Sequence, residues 1–504
     1  MRSEWMKLKS GSDICGDAMR HDSREPLLTA ETAECVGYAF ALWLARRMDT
    51  TADKLTIAVG LDSRLSGPAL KAGLIRGLTA ADCDVLDCGL CATPALFMTT
   101  ILPETNCDGA VMITASHHPW YRNGFELIAR DGGLDGEEIA EVLRAAMEVT
   151  IPQRLVKPLD LMSLYTERLA KMVRERLEDD ALKPLLGLYV VVDAGNGAGG
   201  FFARFLEDLG ADVEGIGLEP DGHFPAHTPS TEDKDAMAAL SRAVVEYGAD
   251  LGVLFDSDCD RAAIVDEKGR EISRNRLIAL IAAMLLNEKS GQTIVTDSVT
   301  SSGLAKFIAE WGGTHYRFKR GYRNVIDEAI RLNEEGIACP IAIETSGHAA
   351  FRENHFVDDG IYLATRLICE ALERKRQGLT LTSLLDGLAE PLESVEVRMP
   401  ILDQEDIRAS AQTVIEAVLS KTLDDATWHL APDNREGVRI TFDLDGGVDN
   451  AWFLLRLSVH DPVMPLNAES DVPGGVQFML KALCALLEET GALDLAPLKR
   501  LIEG

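Results

Sequence analysis

Ser116 stands in the run Ile113-Thr114-Ala115-Ser116-His117-His118-Pro119, directly after the apolar stretch Gly109-Ala110-Val111-Met112. A hydroxyl beside an imidazole is a nucleophile with a potential base next to it. The proline three residues on stops the strand, so the serine falls on a loop where a phosphoryl group could reach it. The same pair occurs in ordinary polar turns and carries the chemistry only with support from elsewhere. That support comes from Asp256-Ser257-Asp258-Cys259-Asp260-Arg261, which follows the buried-type strand Leu251-Gly252-Val253-Leu254-Phe255. Three carboxylates at alternate positions repel one another unless something positive sits among them. Hard oxygen donors suit magnesium, which keeps positions open for water or a phosphate oxygen. The plain alternative is an acidic surface turn, which an apolar strand leading into the loop makes the poorer reading.

Other readings of these loops compete. An EF-hand needs flanking helices and glycine at its sixth position, where this chain has a strand and Arg261. A magnesium-dependent phosphatase using Asp256 as its own nucleophile also starts from a strand and alternating aspartates, and would leave Ser116 without a role. Gly195-Asn196-Gly197-Ala198-Gly199-Gly200, trailed by Glu214, resembles a dinucleotide-binding turn, although any tight strand-to-helix turn favours glycine. In Ile341-Ala342-Ile343-Glu344-Thr345-Ser346-Gly347-His348, Glu344 and Ser346 suit hydroxyl groups and His348 suits proton movement near neutral pH, while helix capping by Ser346 is the bland reading. Phe318-Lys319-Arg320-Gly321-Tyr322-Arg323 gathers cations that could grip a phosphate or simply form a solvated turn before a helix. Cys88-Gly89-Leu90-Cys91 has zinc or redox spacing but no second pair, so two strand-end thiols are the simpler reading.

The elements that must hold these loops follow an α/β pattern. Residues 55–60, 188–192 and 293–296 are short β-rich runs, each reaching an aspartate, Asp62, Asp193 or Asp297, before a helical segment. This predicts three related α/β domains built on mainly parallel sheets. The last quarter reads as strands at 392–400, 438–443 and 451–458 with helices near 405–421 and 475–490, a smaller α+β domain. Pattern breaks place the domains at 1–152, 153–268, 269–390 and 391–504. At 504 residues the chain is too long for one core. The formal charge of −31 opposes nucleic acid and anionic membrane surfaces, leaving small-molecule partners. The absence of an apolar leader and the dispersed cysteines predict a cytoplasmic protein, and monomer and homodimer both stay open.

In order along the chain, these segments resemble the α-D-phosphohexomutase family of phosphoglucomutases and phosphomannomutases. The resemblance adds Gly11-Ser12-Asp13-Ile14, Gly60-Leu61-Asp62-Ser63-Arg64, Pro220-Asp221-Gly222-His223-Phe224-Pro225-Ala226-His227 and Arg456-Leu457-Ser458 to the loops above. It implies four domains around a central cleft and exchange of a phosphoryl group between C6 and C1 of glucose or mannose phosphates. Ser116 would carry the phosphoryl group through a hexose 1,6-bisphosphate, which also serves as activator. One magnesium ion per chain would be held by Ser116, Asp256, Asp258 and Asp260, with Arg261 close to the transferred group. Glu344 and Ser346 would bind sugar hydroxyls, Lys319, Arg320, Arg456, Ser458 and His460 the other phosphate, and His117 and His348 would be the proton carriers. Three positions depart from the family pattern: Cys15 replaces an arginine for which Arg20 or Arg64 could compensate, Glu126 replaces a lysine, and Val459-His460 replaces Gly-Thr in the last loop. Cys15 and Glu126 motivate a second reading, a sugar-phosphate-binding paralogue without turnover.

Overall fold

The most apolar runs of the chain become its innermost strands. Gly109–Ile113, Leu251–Phe255 and Ile341–Ile343 are buried along their whole length, as strands covered on both faces must be. The computed structural model describes residues 2–22, 24–150, 157–403, 405–458 and 461–503. The chain forms two compact units, Met1–Ser273 with Ser346–Ser383, and Arg274–Thr345 with Leu384–Gly504. The expected boundary at 152/153 lies outside the described residues.

The first unit contains two sheets. One runs in the order Lys9–Ser10, Asp13–Asp17, Arg122–Ala129, Gly109–Ile113, Thr56–Leu61, Asp84–Leu90, Lys157–Pro158. Neighbours from Gly109–Ile113 onward are parallel, and those before it are antiparallel. The helices Ala30–Arg47 and Gly67–Ala80 belong to this part of the chain and meet backbone to backbone, since a Cβ at Gly77 would lie 1.9 Å from the carbonyl oxygen of Glu34. The other sheet runs Asp212–Ile216, Tyr189–Asp193, Leu251–Phe255, Ala262–Asp266, Glu271–Ile272, with its first three strands parallel and the rest antiparallel.

The parallel core expected from sequence is therefore present, with antiparallel strands added on one side of each sheet. A parallel neighbour needs a crossover helix, whereas an antiparallel one needs only a short turn. The aspartate loop is such a turn: Phe255 pairs with Ala262, so Asp256 to Arg261 form the tip of a hairpin. This tip lies beyond the carboxyl end of a parallel strand, where open α/β sheets place their sites.

In the second unit, Thr314–Arg317, Thr293–Thr296 and Ile341–Ile343 are parallel. The C-terminal sheet is antiparallel throughout, in the order Glu393–Pro400, Val463–Ser470, Ala451–Leu455, Val438–Phe442, His429–Leu430. Its apolar face closes against Gly475–Thr490 through Phe442, Phe453, Met479 and Leu483, all buried. Val463–Ser470 has no counterpart among the strands expected from sequence, because Pro465 interrupts its pattern while still pairing opposite Arg398. Among the described residues no helix is long and apolar enough to cross a membrane.

Candidate active site

Ser116 is held in a strained backbone conformation, with φ of 46°, just past the end of Gly109–Ile113. A non-glycine residue there costs about 1 kcal/mol or more and persists only where its surroundings hold it. They do so here through Arg64, whose side chain is fully buried and donates hydrogen bonds to the carbonyl oxygens of Ser116, His118, Pro119 and Arg122 and from Nε to Asp62. All five guanidinium donors are thereby used. Asp62 in turn accepts from Thr114 Oγ1 at 2.9 Å, and Ser257 Oγ lies 3.1 Å from Asp62 and 2.8 Å from the Ser116 carbonyl oxygen, which share its one proton. The serine loop and the aspartate loop are thus tied together by neutral hydroxyls and one buried ion pair.

The reacting groups converge on Ser116 Oγ. It donates to Asp256 Oδ2 at 3.0 Å and receives a short hydrogen bond from the guanidinium of Arg261. Arg261 also holds Asp256 Oδ2 through Nε at 2.8 Å and donates its backbone N–H to Asp256 Oδ1. Burial pushes the Asp256 carboxyl up, but the Arg261 guanidinium, a hydrogen bond with Asp260, the charge of His348 and the Arg261 backbone N–H together outweigh it and leave Asp256 below the usual range. The Asp256 side chain is fully buried with both oxygens engaged, whereas Ser116 is only partly buried, so the geometry favours Ser116 over Asp256 as the nucleophile.

Asp256, Asp258 and Asp260 each bring an oxygen within 4.8 Å of the other two. Asp258 uses Oδ2 to accept from Thr93 at 2.7 Å, while its Oδ1 is buried without a hydrogen-bond partner. Burial and then Asp256 push Asp258 up to about 7, and burial and the same neighbours raise Asp260 strongly. An all-oxygen set with a bare buried carboxylate oxygen fits a hard divalent cation, which removes the repulsion responsible for these shifts.

The histidines differ. His117 Nδ1 accepts from Arg261 at 2.8 Å and lies 3.3 Å from Ser116 Oγ. Desolvation, then Arg261 and His118, lower its pKa, so the ring is neutral with its Nδ1 lone pair in use. His348 Nδ1 lies 2.5 Å from Asp358 Oδ2, in the same unit as Ser116. Glu126 projects from Arg122–Ala129 opposite Met112, and burial together with Asp13, Asp258 and Asp358 raises its pKa well above the carboxylate norm. Cys15 is buried opposite Gly124, its thiol pushed up by burial, and offers no cationic contact.

A second set of residues assembles in the other unit. Arg456 is buried, its Nε has no hydrogen-bond partner, and burial, with Arg320 nearby, lowers its pKa. Glu344 accepts from the Gly321 N–H at 2.6 Å, pinning the turn that carries Lys319 and Arg320. Glu436 accepts from the Arg320 N–H at 3.1 Å and from Ser298 Oγ, so the C-terminal domain is fastened to that turn. Ser458 closes its own loop, its N–H donating to Val463 and its Oγ accepting from Asp461 N–H at 3.3 Å. Glu436 and Asp297 offset part of the cost of burying Arg456, and its donor left over is where an anion would bind. Ser346 falls in the first unit, where its carbonyl oxygen accepts from Thr231 Oγ1 at 3.1 Å, and His460 lies outside the described residues.

Comparison with known proteins decides the lineage. Residues 12–152, 163–269 and 273–392 match, in turn, the α/β/α domains I, II and III of phosphoglucomutase/phosphomannomutase. The chain belongs to the phosphoglucomutase/phosphomannomutase family. It is 30% identical to a phosphomannomutase/phosphoglucomutase of Pseudomonas putida over 89% of this chain and 90% of that protein. It is 31% identical to a phosphoglucomutase/phosphomannomutase of Thermococcus kodakarensis over 92% of this chain and 95% of that protein. Among solved structures, it resembles a family protein from Burkholderia thailandensis with a TM-score of 0.78 and 25% identity, covering 96% of this chain and 98% of that one.

Several residues of this phosphoglucomutase/phosphomannomutase family site escape a reading of the sequence. Arg64, considered as a replacement for the arginine missing at Cys15, is a buried clamp on the serine loop and has no donor to spare. Arg20 is exposed and lies 3.5 Å from Glu25. The signal for Arg64 was its pairing with Asp62 two residues earlier, directly after an apolar strand. The glycine run serves packing rather than a dinucleotide: a Cβ at Gly197 would lie 2.6 Å from the Ser257 carbonyl oxygen, and one at Gly200 would lie 1.9 Å from that of Leu218. Cys88 and Cys91 are buried free thiols, raised by burial, Cys91 to about 12, so neither is a ready thiolate.

Proposed function

We propose that this chain is an active phosphohexomutase interconverting glucose or mannose 6-phosphate with the corresponding 1-phosphate through a phosphoserine at Ser116 and a hexose 1,6-bisphosphate. The observation that carries this reading is the position of Ser116 Oγ, exposed by a strained backbone and touched by both Asp256 and Arg261. Arg261 would follow the phosphoryl group and offset its charge during transfer. Asp256, Asp258 and Asp260 would hold one magnesium ion, whose chemistry is to supply further positive charge to the phosphoryl oxygens.

Arg456, Arg320, Lys319, Ser458 and His460 would hold the phosphate that is not reacting, and Glu344 and Ser346 the sugar hydroxyls. The unpartnered Arg456 Nε supports the first part, and the depth of Glu344 supports the second. His117 and His348 would be the proton carriers, the Nδ1 of His117 accepting from Arg261 and that of His348 paired with Asp358, a carboxylate that favours the protonated ring. Glu126, with its raised pKa, is a second group able to hold a proton in this unit. Domain limits of 1–152, 153–268, 269–390 and 391–504 assign the serine, metal, sugar and phosphate loops to successive domains, and hexose 1,6-bisphosphate would prime the serine.

A coupled assay with glucose or mannose 1-phosphate, magnesium and a trace of the bisphosphate tests the reading, alongside intact-protein mass. Turnover together with one phosphoryl group that is absent in Ser116→Ala is the expected outcome. Binding of hexose phosphates without any turnover would establish the non-catalytic paralogue instead.

A further inference from the structure

We propose that the first unit holds a second divalent cation, of the borderline class to which zinc and manganese belong, between Asp260, His348 and Asp358. One ligand atom from each of these residues lies within 4.8 Å of the other two. His348 Nδ1 stands 2.5 Å from Asp358 Oδ2 and 3.7 Å from Asp260 Oδ2. An imidazole nitrogen joined by carboxylate oxygens is a donor set that zinc and manganese accept readily, whereas magnesium prefers oxygen alone. All three side chains are at least four-fifths buried, so the site is shielded from bulk water without being closed to an ion.

Asp13 supplies an independent observation from a distant part of the chain. Its Oδ1 is sealed from solvent and receives no hydrogen bond, and the group whose charge acts on it most is His348. Asp258, 1% exposed, leaves a second bare oxygen, Oδ1, in the adjoining aspartate loop. A buried carboxylate oxygen without a donor is rare in a folded protein unless a cation completes it. Burial and the charges of Asp13, Asp258 and Asp358 raise Glu126 in the same surroundings, so it takes up a proton there rather than adding charge. Against these carboxylates the neighbourhood sets Arg261, already spent on Asp256 and Ser116, and the imidazole itself. One divalent ion on Asp256, Asp258 and Asp260 still leaves carboxylates in excess, and Asp260 is shared by both groups. Occupied, the second site removes His348 Nδ1 from proton transfer, so the cation and the proton compete for one nitrogen.

This inference does not depend on the mutase reading, because its test is binding. The full-length protein is stripped with a chelator and dialysed against zinc with millimolar magnesium present, and bound metal is counted by elemental analysis. One zinc per chain that magnesium does not displace is expected, and His348→Gln and Asp358→Asn should each weaken it about tenfold or more. Cobalt in place of zinc should give visible bands that change in His348→Gln, a readout that follows the nitrogen ligand directly. If zinc and magnesium displace one another one for one with a single ion per chain, or if zinc binding is the same in both variants, the second site does not exist. The competition and the cobalt spectrum of the unaltered protein stand even where a variant fails to fold.

Discussion

Ser116 in the first unit meets a carboxylate and a guanidinium at the edge of an aspartate cluster, and Arg456 in the second has Arg320, Glu436 and Asp297 acting on it. Burial raises Asp258 to about 7 and lifts Asp260 and Glu126, whereas burial lowers Arg456. The first unit thus gathers carboxylates round one engaged arginine, while the second sets Arg456 and Arg320 among Glu436 and Asp297, each in a place that water only partly reaches. Under the proposed function the difference assigns the two to different ligands: the first to a cation that meets a phosphoryl group in transfer, the second to a phosphate held still. It also separates what each should lose on mutation, since a group that reacts changes the rate and a group that holds changes binding.

The largest effect expected is on turnover. Ser116→Ala should lower it by at least about 10⁴-fold, while calorimetry shows hexose phosphate still binding through the second unit. Comparable losses of both would mean that the serine is a binding group, and the contrast between the units would collapse. The next effect is on stability. Arg64→Met removes one partner of a fully buried ion pair and leaves Asp62 uncompensated, a change that costs roughly 3–5 kcal/mol. A thermal melt unchanged within error would show that the serine loop holds its strained backbone without this clamp.

Smaller still is the effect of Arg456→Met, which removes charge-assisted hydrogen bonds to phosphate worth about 1.5–3 kcal/mol, or roughly 10–100-fold, in KM with little change in kcat. A fall in kcat at constant KM would instead place Arg456 in the reacting half. The mildest test uses pH. Magnesium requires Asp258 as its carboxylate, and burial holds the metal-free group at about 7. Because Asp260, raised more strongly, must lose its proton as well, affinity should fall as pH drops through that range, by about tenfold or more per unit, with protons released on binding. Calorimetry in buffers of different ionisation enthalpy measures those protons, and a pH-independent affinity would show that Asp258 and Asp260 stay ionised without the metal.

Much of this was legible because it is local. Gly109–Ile113 and Leu251–Phe255 are apolar runs that end in polar loops, so both Ser116 and the three aspartates stood out before any fold was known. Glu344 and Arg456 were legible mainly through resemblance, because their loops carry no pattern that demands a ligand. Arg64 was legible only as a motif residue: nothing in its neighbours along the chain tells that four of its acceptors are carbonyl oxygens more than fifty residues away. Asp13 and Asp358 were not singled out for metal chemistry at all, since an isolated aspartate on a strand or before a helix has many ordinary uses. The C-terminal strand Val463–Ser470 was hidden by its proline.

The amino-acid order by itself determined which loops are polar, which strands are buried, the family to which the chain belongs and the excess of negative charge. These follow from periodicity, composition and short motifs, which depend on near neighbours. Only the tertiary structure decided that the aspartate loop is a hairpin tip, that Arg261 rather than His117 engages Ser116 Oγ most closely, that Arg64 is a clamp, and that Asp260, His348 and Asp358 share one space. The reason is physical: burial and the placing of charges against one another arise from segments far apart in the chain, and a residue's pKa and available donors have no value until those segments meet.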